Sequence, residues 1–481
     1  MNNSEIDLEL VQKQSITEAE LKRIEQQEKL YAYYVGDEEA IYDYLEKALQ
    51  INFSSVTINN MYKYYLNITE KVINQLSILY NKSAKREVLI NGKVDIELSK
   101  LYNSLLPDNI NSIDKLALSL ARLLNVSLTT VGFDKEDKKI VYRVDPSHVF
   151  MVKSKKENIN KINQISYGYY EEKRDGKNEL ITVVWTKDLH YEIDSNGNRR
   201  SVGDNVDMIN PYNIIPVAVF RIKESADFWG FGCNDLVSYN EVINMMLIDL
   251  YDSGFVGSAY GTPLFTNCEI MKKKIDGSDT IGTIPMGAKN PVIVENVNTN
   301  MVKPTIEYAT PKVDLTSIRE AIDWQIKTIG VMKGLNPNSL LTEVKSTSGY
   351  SKIMDSIEEI HIREGVIEQA LTYEKDRFRV TKAVINTYAN ELGYSMIPDN
   401  AEIKVTFNKV YVPKGDQEKW LDRESNYKYN TQSPADWLIE EGLANNSMEA
   451  EDILKTNKEL NNKFPINEVK QAINIPNVTT K

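Results

Sequence analysis

The feature that most constrains this chain is a pair of helical stretches joined by a loop, running from Asp314 to Leu392. The first arm, Asp314 to Lys333, is apolar at Leu315, Ile318, Ile322, Ile326 and Ile329. That 3–4–4–3 spacing places one apolar face on a helix, and Asp314 suits its N-cap. The second arm, Tyr350 to Leu392, holds one glycine, Gly365, and no proline. An unbroken helix there would reach roughly 65 Å at 1.5 Å per residue. The loop, residues 334–348, is rich in turn formers and hydroxyls; Gly334 and Pro337 end the first helix, and Ser346 to Ser348 can cap the second. Globular domains rarely use helices beyond three or four turns, so the second arm reads as a strut.

The rest of the chain has ample length for roughly two to four domains and a buried core. A formal net charge of −12 argues against a protein that coats DNA by neutralising phosphates, although not against DNA that passes without being gripped. Cys233 and Cys268 lie far apart in unlike contexts and support neither a disulfide framework nor a thiolate zinc site. The start, Met1-Asn-Asn-Ser-Glu-Ile-Asp, has no basic segment followed by an apolar one, so no secretion signal is expected. The most apolar run, Val242 to Ala259, is broken by Asn244, Asp249 and Asp252 and reads as a buried helix, not a membrane span.

Taken in order, Thr17–Tyr34 and Asp37–Ala48 read as helices separated by Gly36, and Thr57–Lys82 as a third, with Met61, Tyr65, Ile68, Val72, Leu76 and Leu79 at helical spacing. Ser112–Leu124 is a fourth, apolar on most sides. From Val126 the period changes to alternation. Ser127–Phe133, Lys139–Asp145, His148–Val152, Gln164–Tyr170, Leu180–Lys187, Leu189–Ile193, Arg199–Val202 and Ile214–Phe220 read as strands of an antiparallel module. Asn196-Gly197 suits a tight turn, and Pro216 pushes the last strand to an edge. Leu236 to about Ser258 is a helix apolar on nearly every side, which needs protein around it. Short strands are expected at Leu264–Asn267, Ile281–Pro285, Val292–Glu295 and Ile306–Tyr308, a small module inserted between two helices. Glu402–Phe407 and Val410–Val412 read as strands, and 433–463 as helix–turn–helix.

Chemistry is sparse. There is no Gly-x-x-x-x-Gly-Lys-Ser/Thr and no Gly-x-Ser-x-Gly, and Gly230-Phe-Gly232 is a tight turn rather than a dinucleotide fingerprint. Glu358-Glu359-Ile360-His361 places a carboxylate and an imidazole on one helix face, as di-iron bundles do. Those need two copies, and this chain has one, so a solvated charged face is the better account. Lys272-Lys-Lys274 reads as wet surface, with a phosphate contact the lesser alternative.

The order of these parts resembles the portal proteins of tailed double-stranded DNA bacteriophages, over nearly the whole chain. The residues that carry the resemblance are Tyr33-Tyr-Val-Gly36, Asn67-Ile-Thr-Glu-Lys-Val-Ile-Asn-Gln-Leu76, Asp145-Pro146 with Val149, and Ile215-Pro-Val217 with Phe220. They continue with Gly232-Cys-Asn-Asp-Leu236 and Asn244, Ser348-Gly349-Tyr350, and Ser433-Pro-Ala-Asp436 with Gly442. None is specific alone; their order at matching spacing is the signal.

The resemblance implies an α+β, mainly helical portal fold. Residues 1–110 would be N-terminal wing helices, 111–235 a β-rich wing, 236–259 a first stem helix, 260–312 a clip and 313–333 a second stem helix. A tunnel loop at 334–347, a long wing helix with strands at 348–412 and a crown at 413–481 would complete it. It implies a homo-oligomeric ring, normally of twelve subunits, at one capsid vertex of the virion, assembled in the host cytoplasm. Double-stranded DNA is packaged and ejected through such a ring without sequence specificity. A separate terminase motor drives it, and capsid, scaffolding and head–tail adaptor proteins are its partners. No cofactor, metal, membrane or catalytic residue is implied. The tunnel-loop residues Lys333, Asn336, Asn338, Ser339, Leu340, Leu341, Thr342, Val344 and Lys345 would line the DNA channel, the leucines and Val344 as a smooth apolar surface on a loop that covers no core. Met246, Leu250, Ile318, Ile322 and Ile326 would pack the stem between subunits as well as within one. Two rival readings are another head–tail connector or minor capsid protein, and a metal-dependent or hydrolytic enzyme built on Glu358 and His361.

Overall fold

The computed structural model describes residues 17–51, 63–155, 157–172, 178–203, 205–251, 262–266, 268–270, 294–296, 305–309, 314–340, 349–408, 416–440, 443–444 and 447–463. The first helices begin where the sequence supplies a side-chain oxygen. Thr17 caps α1 (Glu18–Val35) through the amide of Glu20, and Asp37 caps α2 (Glu38–Leu49) through that of Ala40. The expected helix Thr57–Lys82 is corrected: residues 63–67 are not helical, and α3 spans only Ile68–Leu76, capped by Asn67. The cause is tertiary. Amide side chains of a later helix take the backbone groups of Leu66, Ile68 and Thr69 that helix continuation would have used.

A hairpin follows that the periodicity reading passes over, β1 (Lys85–Ile90) and β2 (Lys93–Val94), turned at Asn91-Gly92, where both residues have positive φ. This is the two-residue turn that asparagine and glycine favour because its twist matches the strands. Helices α4 (Ile96–Leu105) and α5 (Ile110–Leu124) lead into β3 (Val126–Asp134) and β4 (Lys139–Asp145). The strand expected at His148–Val152 starts late, because Ser147–Val149 forms a 3-10 turn after Pro146. From there β5 (Phe150–Lys155), β6 (Asn158–Glu172), β7 (Asn178–Thr186), β8 (His190–Ile193) and β9 (Arg199–Arg200) make a five-stranded antiparallel meander. Strand β10 (Val217–Arg221) returns to pair with β3 and lies at the edge of that three-stranded sheet, as Pro216 requires.

Next comes α6, at Asn234–Asp249, beginning two residues before the expected Leu236; residues from 252 to the expected end near Ser258 lie outside the described ones. Two nested antiparallel pairs follow: β11 (Thr262–Thr266) with β14 (Thr305–Ala309), and β12 (Cys268–Ile270) with β13 (Val294–Asn296). The strand expected at Ile281–Pro285 lies outside the described residues. Asp314 caps α7 (Leu315–Met332) on the amides of Thr316 and Ser317, a 3-10 turn forms at Pro337–Ser339, and α8 runs unbroken for 44 residues, Gly349–Leu392. Strand β15 (Ala401–Thr406) closes back on β1, Lys85 opposite Thr406.

The chain forms two compact units, Met1–Val410 and Tyr411–Lys481. The second contains α9 (Asp416–Lys428), which the sequence reading does not anticipate, α10 (Pro434–Glu440) and α11 (Ser447–Lys463). The strand expected at Val410–Val412 lies outside the described residues.

In the first unit α8 is the spine. Val366, Ala370 and Tyr373 pack with α5 and β10, while Phe378, Val380, Val384 and Ile385 pack with β1, α4, β4 and β15. Between these layers α8 carries charge out of water. Glu374 and Arg377 meet Arg86 of β1 and Asp114 of α5, all buried. Arg86 Nη2 lies 2.5 Å from Asp114 Oδ2 and 2.7 Å from Glu374 Oε1, Arg377 Nη2 lies 2.6 Å from Glu374 Oε2, and Arg377 Nη1 also bonds Asp114 Oδ1. Two guanidiniums and two carboxyls cancel, and such a cluster survives burial only because each charge is paired. Burial pushes Asp114 up to about 6 against the pull of Arg377. Burial acts the same way on Glu374, but Arg377 and Arg86 outweigh it and hold that carboxyl below its ordinary value. At the sheet edge, Asp376 accepts the outward amide of Val219 at 3.0 Å, so α8 also covers β10.

Candidate functional site

Helices α6 and α7 lie antiparallel. Lys333, after the last turn of α7, reaches Asp235 in the first turn of α6 at 2.6 Å. Burial would raise the Asp235 pKa, but the Lys333 hydrogen bond and charge bring it below the usual value. The facing sides supply Leu236, Val237, Ile243 and Ile248 from α6 and Ile322, Ile326 and Ile329 from α7 to a single core shared with α1, α2 and α3. Met246, Leu250 and Ile318 are half-buried at its margin. The opposite sides carry apolar groups in the open: Val242 is 39% exposed, Trp324 63%, Val331 67% and Met332 52%.

Two amides one helical turn apart join α6 to α3. Asn240 Oδ1 accepts from the amides of Ile68 (3.0 Å) and Thr69 (2.9 Å) and from the Thr69 hydroxyl (2.9 Å), while its Nδ2 donates to the Leu66 carbonyl at 2.8 Å. Asn244 Oδ1 accepts from the Leu66 amide at 2.8 Å. Both side chains are wholly buried.

After α7 the chain folds back on the helix it has left. The Leu335 amide donates to the Gly330 carbonyl at 2.8 Å. The turn presses so closely that a Cβ on Gly330 would lie 3.0 Å from Pro337 Cα. The Asn336 amide donates to Glu358 Oε1 of α8 at 2.6 Å, and Lys71 Nζ of α3 donates to the Leu340 carbonyl at 3.0 Å. Ser339 is exposed; its hydroxyl donates to the Asn336 carbonyl at 2.7 Å, and Gln75 Nε2 approaches its carbonyl at 3.5 Å.

Several expectations change here. Leu340 is not part of an exposed apolar surface: it is 6% exposed and packs in the α6–α7 core with Leu335, so the start of the connector does cover core. The Lys333 ammonium is engaged by Asp235. Asn338 sits in the 3-10 turn, and Leu341, Thr342, Val344 and Lys345 lie outside the described residues. Ile322 and Ile326, expected to pack within one subunit as well as between subunits, are 6% and 7% exposed within one chain, which agrees with the first part. His361 is exposed while Glu358 turns to the Asn336 amide, and among the described residues no group of three or more His, Cys, Asp or Glu side chains is placed to hold a metal ion.

Asn240, Asn244, Lys71 and Glu358 shape this site, and the sequence reading assigns none of them that role. The two asparagines left a trace, as amides at i and i+4 inside an apolar helix. Lys71 and Glu358 left none, because their partners are backbone atoms far away in the chain.

No family model matches the sequence, and no curated protein matches it. Among solved structures, a chain from the neck of an empty gene transfer agent (GTA) particle, computed with C6 symmetry, aligns with a TM-score of 0.34 and 9% identity, over 78% of this chain and 90% of that one. A chain from the virion of a native GTA particle aligns with a TM-score of 0.31 and 8% identity, over 78% of this chain and 89% of that one. Likeness at these scores carries no argument about this chain.

Proposed function

We propose that the chain is a subunit of the portal ring of a tailed double-stranded DNA bacteriophage, a passive channel at one capsid vertex through which a separate motor drives DNA. One geometric observation supports this most. An antiparallel helix pair, split by an insertion of nested strands and followed by a turn and a 44-residue helix, keeps a second apolar face exposed along α7. Trp324 and Val331 are seven residues apart, two turns of one helix, so they share that face. Large apolar groups in register on a helix mark a surface that another protein covers, and in a ring the cover is the next subunit. The acidic charge suits the role, since tight phosphate binding would stall DNA in transit. In this reading DNA contact belongs to the connector between α7 and α8, and clip and crown meet the adaptor and capsid proteins.

The test is particle mass and shape. Purified protein imaged by negative stain should give rings with a central hole, and Trp324→Glu should shift the light-scattering mass towards the 55.0 kDa protomer. A wild-type protein that stays a compact monomer at high concentration overturns the reading.

A further inference from the structure

We infer that Lys71 and Glu358 are positioning residues that pin residues 336–340 as a fixed base of the connector. Three elements hold these few residues. From α7, Gly330 offers its carbonyl to Leu335 and lacks the Cβ that would collide with Pro337. From α8, Glu358 accepts the Asn336 amide on its carboxylate. From α3, Lys71 places its ammonium on the Leu340 carbonyl, with Gln75 one turn on beside Ser339. Among the described residues Lys71 has no carboxylate partner; its charge is used on a main-chain oxygen. A hydrogen bond with one ionised partner is about twice as strong as a neutral one, which is what holding a turn without a helix or sheet ladder calls for. The inward side chain of this base, Leu340, is core. Helix α3 is itself anchored at its start, beside Lys71, by Asn240 and Asn244 of α6, so the base is referred to the same helix pair that carries the exposed α7 face.

Hydrogen exchange of the full-length protein, read by mass spectrometry, tests this. Lys71→Met and Glu358→Ala should each speed exchange of the 335–340 amides three- to ten-fold, because a pinned segment opens by local fluctuation. Lys71→Arg, which keeps a cationic donor, should restore protection, and the 373–385 segment of α8 should exchange as in wild type throughout. Unchanged exchange at 335–340 in both variants, or an equal rise everywhere, overturns the inference. Particle mass is measured on the same samples: absence of rings in wild type, with exchange behaving as expected, overturns the portal reading and leaves the pinning intact.

Discussion

Replacing Asn240 by leucine should cost this protein up to about 4 kcal/mol, although the two side chains are similar in size. Four polar groups depend on that amide: the Ile68 and Thr69 N–H groups, the Thr69 hydroxyl and the Leu66 carbonyl. The Ile68 and Thr69 amides belong to the first turn of α3, where no carbonyl of the helix can reach them, and Asn67 already serves Glu70. Asn240, Ile68 and Thr69 are closed to water, while Leu66 is half-open to it. Each buried group left without a partner costs about 1–3 kcal/mol. The hydroxyl can rotate to another acceptor, and the Ile68 amide and Leu66 carbonyl still bond each other at 3.1 Å. That leaves the Thr69 amide without a partner, at about 1–3 kcal/mol, and two lost second bonds at about 0.5–1.5 kcal/mol each, roughly 2–6 kcal/mol together. Leucine returns about 1.5 kcal/mol for apolar area removed from water, so the net is about 0.5–4.5 kcal/mol. Urea denaturation followed by circular dichroism gives the global figure, and hydrogen exchange at Ile68–Glu70 gives the local one. A loss below about 0.5 kcal/mol with unchanged exchange at α3 would mean that Asn240 does not hold that helix start, and the account of why α3 begins at Ile68 would fall with it.

Arg377→Met should destabilise by about 3–5 kcal/mol at neutral pH, the usual cost of stranding a buried carboxylate. Arg377→Met with Asp114→Asn should cost less than the sum of the two single changes, and strict additivity in a denaturation cycle would refute the pairing. His148 is buried against Tyr31, with neither ring nitrogen hydrogen-bonded among the described residues; burial, helped by Arg23, lowers its pKa to about 3. The unfolded chain therefore binds the extra proton between about pH 6.5 and 3, and stability falls by up to about 1.4 kcal/mol per pH unit as pH drops through that window. Asp114, raised to about 6, acts in the opposite sense over part of the range. The discriminating measurement is accordingly the difference between wild type and His148→Phe, whose stability should lack the histidine slope; parallel pH profiles would refute it.

How much of this was legible in sequence follows from where each signal resides. Local signals read well. Asp314, Thr17 and Asp37 cap where their oxygens stand before apolar periodicity, α8 is long because nothing in it breaks a helix, and Pro216 marks an edge strand. Signals that depend on a distant partner do not read. The apolar spacing of Met61 to Leu79 promised one helix, but amides 170 residues away stop it. Asp114 interrupts the apolar pattern of Ser112–Leu124, yet it is a wholly buried ion-pair acceptor whose partners come from β1 and α8. Glu374 and Arg377 look like an ordinary surface pair at i and i+3; only the fold puts Arg86 beside them.

The same distinction separates folding from assembly in α7. Ile318, Ile322 and Ile326 produce the strong helical period, and that period is expected to pack the stem between subunits as well as within one. Within one chain Ile322 and Ile326 are core and Ile318 is half-buried at its margin, because a repeat of branched aliphatic groups is what a helix needs to pack on α6 and α3. Trp324, Val331 and Met332 lie off that period and stay exposed when the packing is complete; on the proposed portal reading they are the surface that a neighbour covers. The two sets answer to different perturbations. A carboxylate at Ile322 enters a site already closed to water and should prevent folding whatever the oligomeric state. One at Trp324 stays solvated in the protomer and is buried only if a neighbour arrives. If Trp324→Glu unfolds the protein as Ile322→Asp does, the outer face of α7 is core by another route. If Trp324→Glu folds normally and still assembles, that face is not where subunits meet.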